Sequence, residues 1–123
     1  MFKYFLILIS TLMSAFAQYF LKVGVTRTNL IIFYKENSLY VSVKNIFSDF
    51  YILIGFLLYF FSAVLWLFVL SKFNLSKAYP FASLGYVFTL LIGVYFLKEP
   101  LNLMTILAVG LIVSGVFVLA SSN

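Results

Sequence analysis

The chain has 123 residues, of which 65% are hydrophobic and only 9% are charged. Soluble domains are nearer half apolar and a quarter charged, so too little polar surface is present to cover a water-soluble globule. Eight Lys and Arg residues oppose three acidic ones, and their sparse spacing is typical of membrane-surface anchors and argues against nucleic acid as a partner. The absence of cysteine and histidine excludes disulfides, thiolate or imidazole metal sites and histidine-based catalysis, and no cofactor is expected.

Four apolar runs are each long enough to cross the hydrocarbon core of a bilayer, which needs about 20 residues. They cover residues 4–25, 50–70, 79–97 and 101–120. A chain of this length cannot close a spanning barrel from such continuous runs, so all four are predicted to be helices. The sequence therefore predicts a single all-α membrane domain over residues 1–123, with a long first loop at 26–49.

The start of the chain supports two interpretations. Lys3, an apolar run and the small residues at 15–17 match a secretory signal peptide with a cleavage site before Gln18. A signal peptide ends its apolar core with a polar break, whereas here the apolar run continues through residues 19–21. We therefore expect the segment to be retained as the first spanning helix.

The first predicted helix carries a stripe of polar residues. Thr11, Ser14, Gln18 and Lys22 are spaced so that they share one helix face. They could simply form hydrogen bonds to neighbouring helices, with the lysine extending to the lipid headgroups. Alternatively, the stripe lines a cavity and Lys22 binds a phosphate at its mouth; Thr11 fits the structural interpretation better.

The connections between the predicted helices differ in length. The tight links at 71–77 and 98–100 predict an antiparallel hairpin stack of the second, third and fourth helices. Pro80 is expected in the first turn of the third helix and Pro100 at the start of the fourth, where a missing N–H costs little.

The long first loop contains a further pattern. Its apolar residues recur at helical spacing, which fits a helix lying in the membrane interface: Leu39, Val43, Ile46, Phe47 and Phe50. The alternation of Leu39, Val41 and Val43 would equally suit a short strand.

The C-terminal half carries a distinctive set of residues, to which Gln18 and Lys22 can be added. The set comprises Trp66, Leu70, Ala78-Tyr79-Pro80, Ser83-Leu84, Val87, Glu99-Pro100 and Gly115-Val116. This pattern resembles the small four-helix branch of the drug/metabolite transporter superfamily, especially the paired subunits that flip aminoarabinose-phosphoundecaprenol across the bacterial inner membrane. The resemblance implies a multi-pass inner-membrane flippase for a polyprenyl-phosphate-linked sugar. Four helices are few for a substrate pathway, so we expect a homodimer, or a heterodimer with a related four-helix subunit, and such transport needs no enzymatic activity.

The chain also resembles the small multidrug-resistance exporters in size and helix count. Those exporters carry an essential glutamate in their first helix, and the matching position here is Ser14. The three acidic residues, Glu36, Asp49 and Glu99, all lie outside the predicted spans. Export of small cations such as polyamines remains the alternative function, and a non-transporting accessory subunit is a third.

Several further residues are candidates for contact with substrate. Tyr79, Ser83 and Tyr86 are spaced to share one face of the third helix, and with Trp66 they could hold a sugar, although tyrosine and tryptophan also serve as interface anchors. Glu99 could be explained by the dipole of the following helix. It could equally pair with an amino sugar, or with Lys22 if both lie on one side.

The fourth helix contains small residues that permit close helix contact. Gly110 and Ser114 form a small-xxx-small pair, and Gly115 follows. These residues predict a dimer interface, although packing within one bundle would use the same positions.

Overall fold

The computed structural model describes residues 1–28, 35 and 39–122, and these residues form helices and no strand. We number six of the helices in chain order. They are α1 (Phe2–Thr28), α2 (Leu39–Ser48), α3 (Phe50–Lys72), α4 (Leu75–Ala82), α5 (Leu84–Tyr95) and α6 (Leu103–Ser121). Four helical segments are long and apolar enough to cross a membrane: α1, α3, α4 together with α5, and α6. The predicted all-α class with four spans is confirmed.

The first predicted loop contains a helix rather than a strand. Helix α2 forms there, and Asp49 follows it as the N-cap of α3, because its carboxylate accepts hydrogen bonds from the amides of Tyr51 and Ile52. The placement of α2 in the membrane interface stays a prediction. Glu36 and most of residues 29–38 lie outside the described residues.

The third span begins earlier than predicted and is broken. It starts at Leu75, so Pro80 lies inside α4 and not in its first turn. Proline has no N–H to offer the carbonyl of Ser76, one turn earlier in the helix. The amide and hydroxyl of Ser83 both donate to the carbonyl of Pro80, and α5 begins at the next residue.

The fourth span begins later than predicted. Asn102 caps α6, since its side-chain oxygen accepts a hydrogen bond of 2.6 Å from the amide of Met104 and one of 3.3 Å from that of Thr105. Pro100 therefore precedes the helix instead of opening it. For the same reason Glu99 lies in the turn, ahead of the N-cap.

Helix α1 occupies the centre of the bundle. It packs along α3 on one side and against α5 on the other, while the backbones of α3 and α5 do not approach each other in the described chain. The sequence predicted a stack of consecutive hairpins. In the structure α1 instead lies between α3, which is the second span, and α5, which belongs to the third. Small residues allow the close approach: a Cβ on Gly55 would come within 2.7 Å of Leu21 and 3.1 Å of the carbonyl oxygen of Ala17.

Helix α6 lies at the edge. In the described chain its backbone lies beside those of α4 and α5 and not beside those of α1 or α3. Of its described residues Val116 alone is buried, in a cluster with Ile7, Val69 and two residues of α4. The rest of its apolar surface is left to lipid or to a partner.

Candidate functional site

The gap between α3 and α5 forms a cavity of about 560 Å³ over the polar stripe of α1, which we call the hydroxyl groove. Its floor comes from α1, and its walls come from α3 on one side and from α4 and α5 on the other. The lining residues are Ser10, Thr11, Ser14, Ala15, Gln18, Tyr59, Ser62, Ala63, Trp66, Ala82, Gly85, Tyr86 and Thr89. None of them is charged, so the groove offers hydroxyl, amide and aromatic groups.

Some polar side chains of the groove are already hydrogen-bonded within the protein, and others are not. Those of Ser10 and Thr11 donate to the carbonyl of Ile7, so they are satisfied within their own helix. Ser62 donates across the helix interface to the carbonyl of Ser10 at 2.8 Å. Among the described residues, the side chains of Ser14 and Gln18 form no hydrogen bond to protein, and both remain available to a ligand.

A second cavity of about 210 Å³ continues from the groove, and we call it the charged pocket. It shares Ala15, Gln18 and Thr89 with the groove and extends towards the turn between α5 and α6. Its remaining lining residues are Tyr19, Lys22, Ile92, Gly93, Leu97 and Glu99. Gln18 therefore stands where an uncharged, hydrogen-bonding space meets a charged one.

Lys22 and Glu99 face each other in the charged pocket. The lysine Nζ lies 3.8 Å from the glutamate Oε1, and the two side chains are 60% and 50% exposed. This separation is longer than a hydrogen bond, and exposed ion pairs contribute little to stability. The pair can therefore exchange partners at small cost.

The position of Glu99 depends on a tight turn after α5. Lys98 adopts the left-handed region with φ of 53°, which is uncommon for a residue other than glycine. The turn carries the amide of Glu99 back to donate to the carbonyl of Gly93 at 3.0 Å. The backbone thus brings the carboxylate towards the end of α1, where Lys22 lies.

The sequence comparisons identify the family. Residues 30–121 match the model of the EamA-like transporter family, which covers α2 to α6. The chain belongs to the EamA-like transporter family. It is a multi-pass membrane transporter, and the resemblance to the drug/metabolite transporters is confirmed. The match begins after α1, so the roles of Gln18 and Lys22 depend on geometry.

A curated relative is a bacterial flippase subunit. The chain is 39% identical over 54 residues to the probable 4-amino-4-deoxy-L-arabinose-phosphoundecaprenol flippase subunit ArnE of Pseudomonas savastanoi pv. phaseolicola. The similarity covers 44% of this chain and 47% of the relative, so the chain matches about half the length of that protein. No solved structure matches the chain significantly.

Most of the predicted site residues come together. Ser14, Gln18, Trp66 and Tyr86 line the hydroxyl groove, while Gln18, Lys22 and Glu99 line the charged pocket. The predicted possibility that Glu99 pairs with Lys22 is confirmed.

Two predicted residues lie outside both cavities. Tyr79 packs its ring edge-on against Trp66, with 6.2 Å between the ring centroids, and the hydroxyl of Ser83 donates to the carbonyl of Pro80. Of the three predicted residues of this span, Tyr86 alone lines the groove, beside Ala82, Gly85 and Thr89.

Beyond Trp66 on α3 and Tyr86 on α5, four further groove residues of these two helices were not predicted: Tyr59, Ser62, Gly85 and Thr89. Tyr59 and Ser62 precede Trp66 by seven and four residues, so all three share the helix face towards the groove. Gly85 and Thr89 are four residues apart and share the face of α5 that lines the groove. Polar residues at helical spacing were the sequence signal for Tyr59, Ser62 and Thr89, whereas Gly85 has no polar side chain to mark it.

The predicted dimer residues on α6 are open. A Cβ on Gly110 or Gly115 would meet nothing within 4 Å, and the exposed Ser114 donates to the carbonyl of Gly110 at 2.8 Å. Within the described chain the two glycines are therefore not used for packing inside the bundle. The dimer itself stays a prediction.

Proposed function

We propose that the protein transports a polyprenyl-phosphate-linked sugar, an undecaprenyl-phosphate glycolipid, across the bacterial inner membrane. One observation carries the proposal: Gln18 joins the uncharged groove to the pocket that holds Lys22. A sugar phosphate presents the same sequence of groups, hydroxyls followed by an anion. The activity needs no enzymatic step.

The hydroxyl groove suits the sugar. Ser14 and Gln18 offer hydrogen-bonding groups that have no partner among the described residues, and Tyr59, Trp66 and Tyr86 supply aromatic surface and polar tips. A pocket of this kind, mostly apolar with a few convergent polar groups, is typical of small-molecule sites.

Lys22 suits the phosphate. An anion that enters a poorly hydrated cavity needs a compensating charge, because an unpaired buried ion is strongly destabilised. Among the described residues that line the two cavities, Lys22 is the only positively charged one. The prenyl chain would remain in lipid, since α3 and α5 leave the groove open between them.

Glu99 fits an amino group on the sugar. The relative with 39% identity is named as a flippase subunit for an aminoarabinose lipid, and a carboxylate beside Lys22 could pair with such an amine. The same name supports a bacterial inner-membrane location and a partner subunit.

A dimer completes the proposed transporter. The groove is open on the side where α3 and α5 fail to meet, so one chain covers only part of a substrate. The uncovered small residues of α6, Gly110 and Gly115, permit close approach of a second copy or of a related four-helix subunit.

The test compares two lysines in proteoliposomes. Lys22→Ala should weaken binding and flipping of an undecaprenyl-phosphate sugar about tenfold or more, the scale of losing a charged hydrogen-bond partner. Lys44→Ala is the matched control, because Lys44 is exposed on α2 and lines neither cavity. Both variants are first matched for expression and dimer content.

The alternatives give different results. Full lipid transport by Lys22→Ala would refute the phosphate role. An exporter of polyamines or quaternary amines should tolerate Lys22→Ala, since loss of a positive charge would not hinder a cation. An accessory subunit should show no transport when the chain is reconstituted alone, whether as wild type or variant.

A further inference from the structure

Gly93 and Glu99 make a close contact that the transport proposal does not use. Gly93 is buried on α5, and a Cβ built on it would lie 2.8 Å from the Oε2 of Glu99 and 3.5 Å from its carboxyl carbon. Apart from its chain neighbours and the backbone of its own helix, no other heavy atom of the described chain lies within 4 Å of that Cβ position. The space left by the missing side chain of Gly93 is therefore filled by the carboxylate alone.

The backbone reinforces this contact. The amide of Glu99 donates to the carbonyl of Gly93 at 3.0 Å, and the left-handed conformation of Lys98 makes that return possible. Glu99 is thus fixed to Gly93 through its main chain and rests on it through its side chain. Its second carboxylate oxygen then points to Lys22 at 3.8 Å.

We propose that Gly93 is a positioning residue that holds the Glu99 carboxylate beside Lys22, so that the lysine is matched by an internal anion until the phosphate of a substrate replaces it. This inference rests on the proposed role of Lys22 as the phosphate-binding cation. It gives Glu99 two effects: the carboxylate neutralises Lys22 while no substrate is bound, and it competes with the phosphate for that lysine when a substrate arrives.

The geometry suits such an exchange. At 3.8 Å the two groups attract each other without a direct hydrogen bond, and both are at least half exposed, so the pair is weak and easily separated. The phosphodiester of a lipid-linked sugar carries one negative charge on two free oxygens, as a carboxylate does, so it can take the place of Glu99 at Lys22. Release of the phosphate lets the carboxylate return to its place on Gly93.

A cross-linking experiment tests the positioning without any lipid. A carbodiimide condenses a lysine and a carboxylate that lie in contact, with loss of one water, and mass spectrometry of the digested protein detects the Lys22–Glu99 link. Gly93→Ala should reduce this link severalfold, because the added Cβ occupies the space of the carboxylate. Gly85→Ala is the matched control on the same helix, since a Cβ there meets Thr11 at an ordinary 3.8 Å.

A binding experiment tests the competition. The probe is undecaprenyl phosphate without a sugar, titrated in nanodiscs, because it carries the anion and no amine. Gly93→Ala and Glu99→Gln should each tighten its binding about two- to fivefold, the scale of an exposed charge interaction. In a Glu99→Ala background, Gly93→Ala should have no further effect, whereas a general packing defect would persist.

The outcomes separate the two proposals. An undiminished Lys22–Glu99 link in Gly93→Ala overturns the inference, as does unchanged or weaker binding of undecaprenyl phosphate by both Gly93→Ala and Glu99→Gln. If the link is lost as expected but Lys22→Ala still binds the lipid normally, the phosphate role fails while the positioning of Glu99 by Gly93 stands. Glu99→Gln adds no bulk, so it tests the competition even if Gly93→Ala folds poorly.

Discussion

Of helices α1 and α6, the less apolar one is the more buried. Both are able to span a membrane, and α1 is the less apolar of the two. Yet 28% of an 18-residue stretch of α1 is buried, against 6% in α6. Most of the buried residues of α1 are small or polar: Ser10, Thr11, Ala15, Ala17 and Gly24.

Between these two helices, the greater apolar character does not mark the more buried one. Lipid tails are as apolar as leucine, so burying a leucine between helices gains little that the bilayer does not already provide. Small residues permit close backbone approach, and polar residues form hydrogen bonds that lipid cannot supply. Helix α1 has both features and occupies the centre, whereas α6 lies at the edge.

The largest expected effect is on packing between α1 and α3. Gly55→Leu should destabilise the fold by about 3 kcal/mol or more, because even a Cβ there comes within 2.7 Å of Leu21 and overpacking costs typically about 1–3 kcal/mol. Gly110→Leu on α6 is the matched control, since that position has open space. Unfolding in detergent is measured at a dilution where the chain is monomeric. Equal losses at both positions would refute the contrast between the two helices.

The next effect concerns association through α6. Gly115→Leu should weaken the proposed dimer by about 1–3 kcal/mol, a rise of roughly 5- to 150-fold in the dissociation constant, while monomer stability stays unchanged. Native mass spectrometry in mild detergent measures the dimer fraction. Val113→Leu, which enlarges a side chain on a different face of α6, serves as the control. A dimer fraction unaffected by Gly115→Leu would move the interface away from this helix.

The smallest effect isolates a single hydrogen bond of α1. Ser62→Ala removes the bond from Ser62 to the carbonyl of Ser10, and the expected loss is about 0.6 kcal/mol, the average for such bonds between membrane helices. Ser71→Ala removes only a bond from an exposed side chain to its own helix and should change less. Both are compared in the same unfolding assay. If the Ser71 variant is the less stable one, the bond to Ser10 does not help to hold α1 in place.

The number and class of the spans could be predicted from the sequence because each depends on a local property. An apolar run of sufficient length must form a helix in lipid, since every backbone group has to be satisfied internally. The polar stripe of α1 was also visible as a regular spacing, and the structure places Ser14, Gln18 and Lys22 along its two cavities.

The order of packing could not be predicted, because it depends on contacts between distant parts of the chain. Short connections indicated which helices are consecutive but not that α1 separates α3 from α5. The break at Ser83 was missed for a related reason. Pro80 was assigned to a helix start, whereas the span begins at Leu75 and Pro80 lies inside α4.

The start of α6 is a third feature that was not predicted correctly from the sequence. Pro100 was predicted to open the fourth helix, because proline is favoured at the first helical position, but Asn102, two residues later, is the N-cap. The choice matters for Glu99. With the helix beginning after Asn102, the glutamate belongs to the turn and pairs with Lys22 instead of stabilising the helix end.

The opening between α3 and α5 has a consequence for how affinity should be measured. In a bilayer such an opening is filled by the acyl chains of ordinary phospholipids, so any lipid substrate enters by replacing a bulk lipid and not by filling empty space. Its occupancy should therefore follow its mole fraction in the membrane, and doubling the amount of phospholipid at constant substrate should halve the occupancy when binding is far from saturation. Dissociation constants obtained for this protein in different membranes are comparable only on that scale.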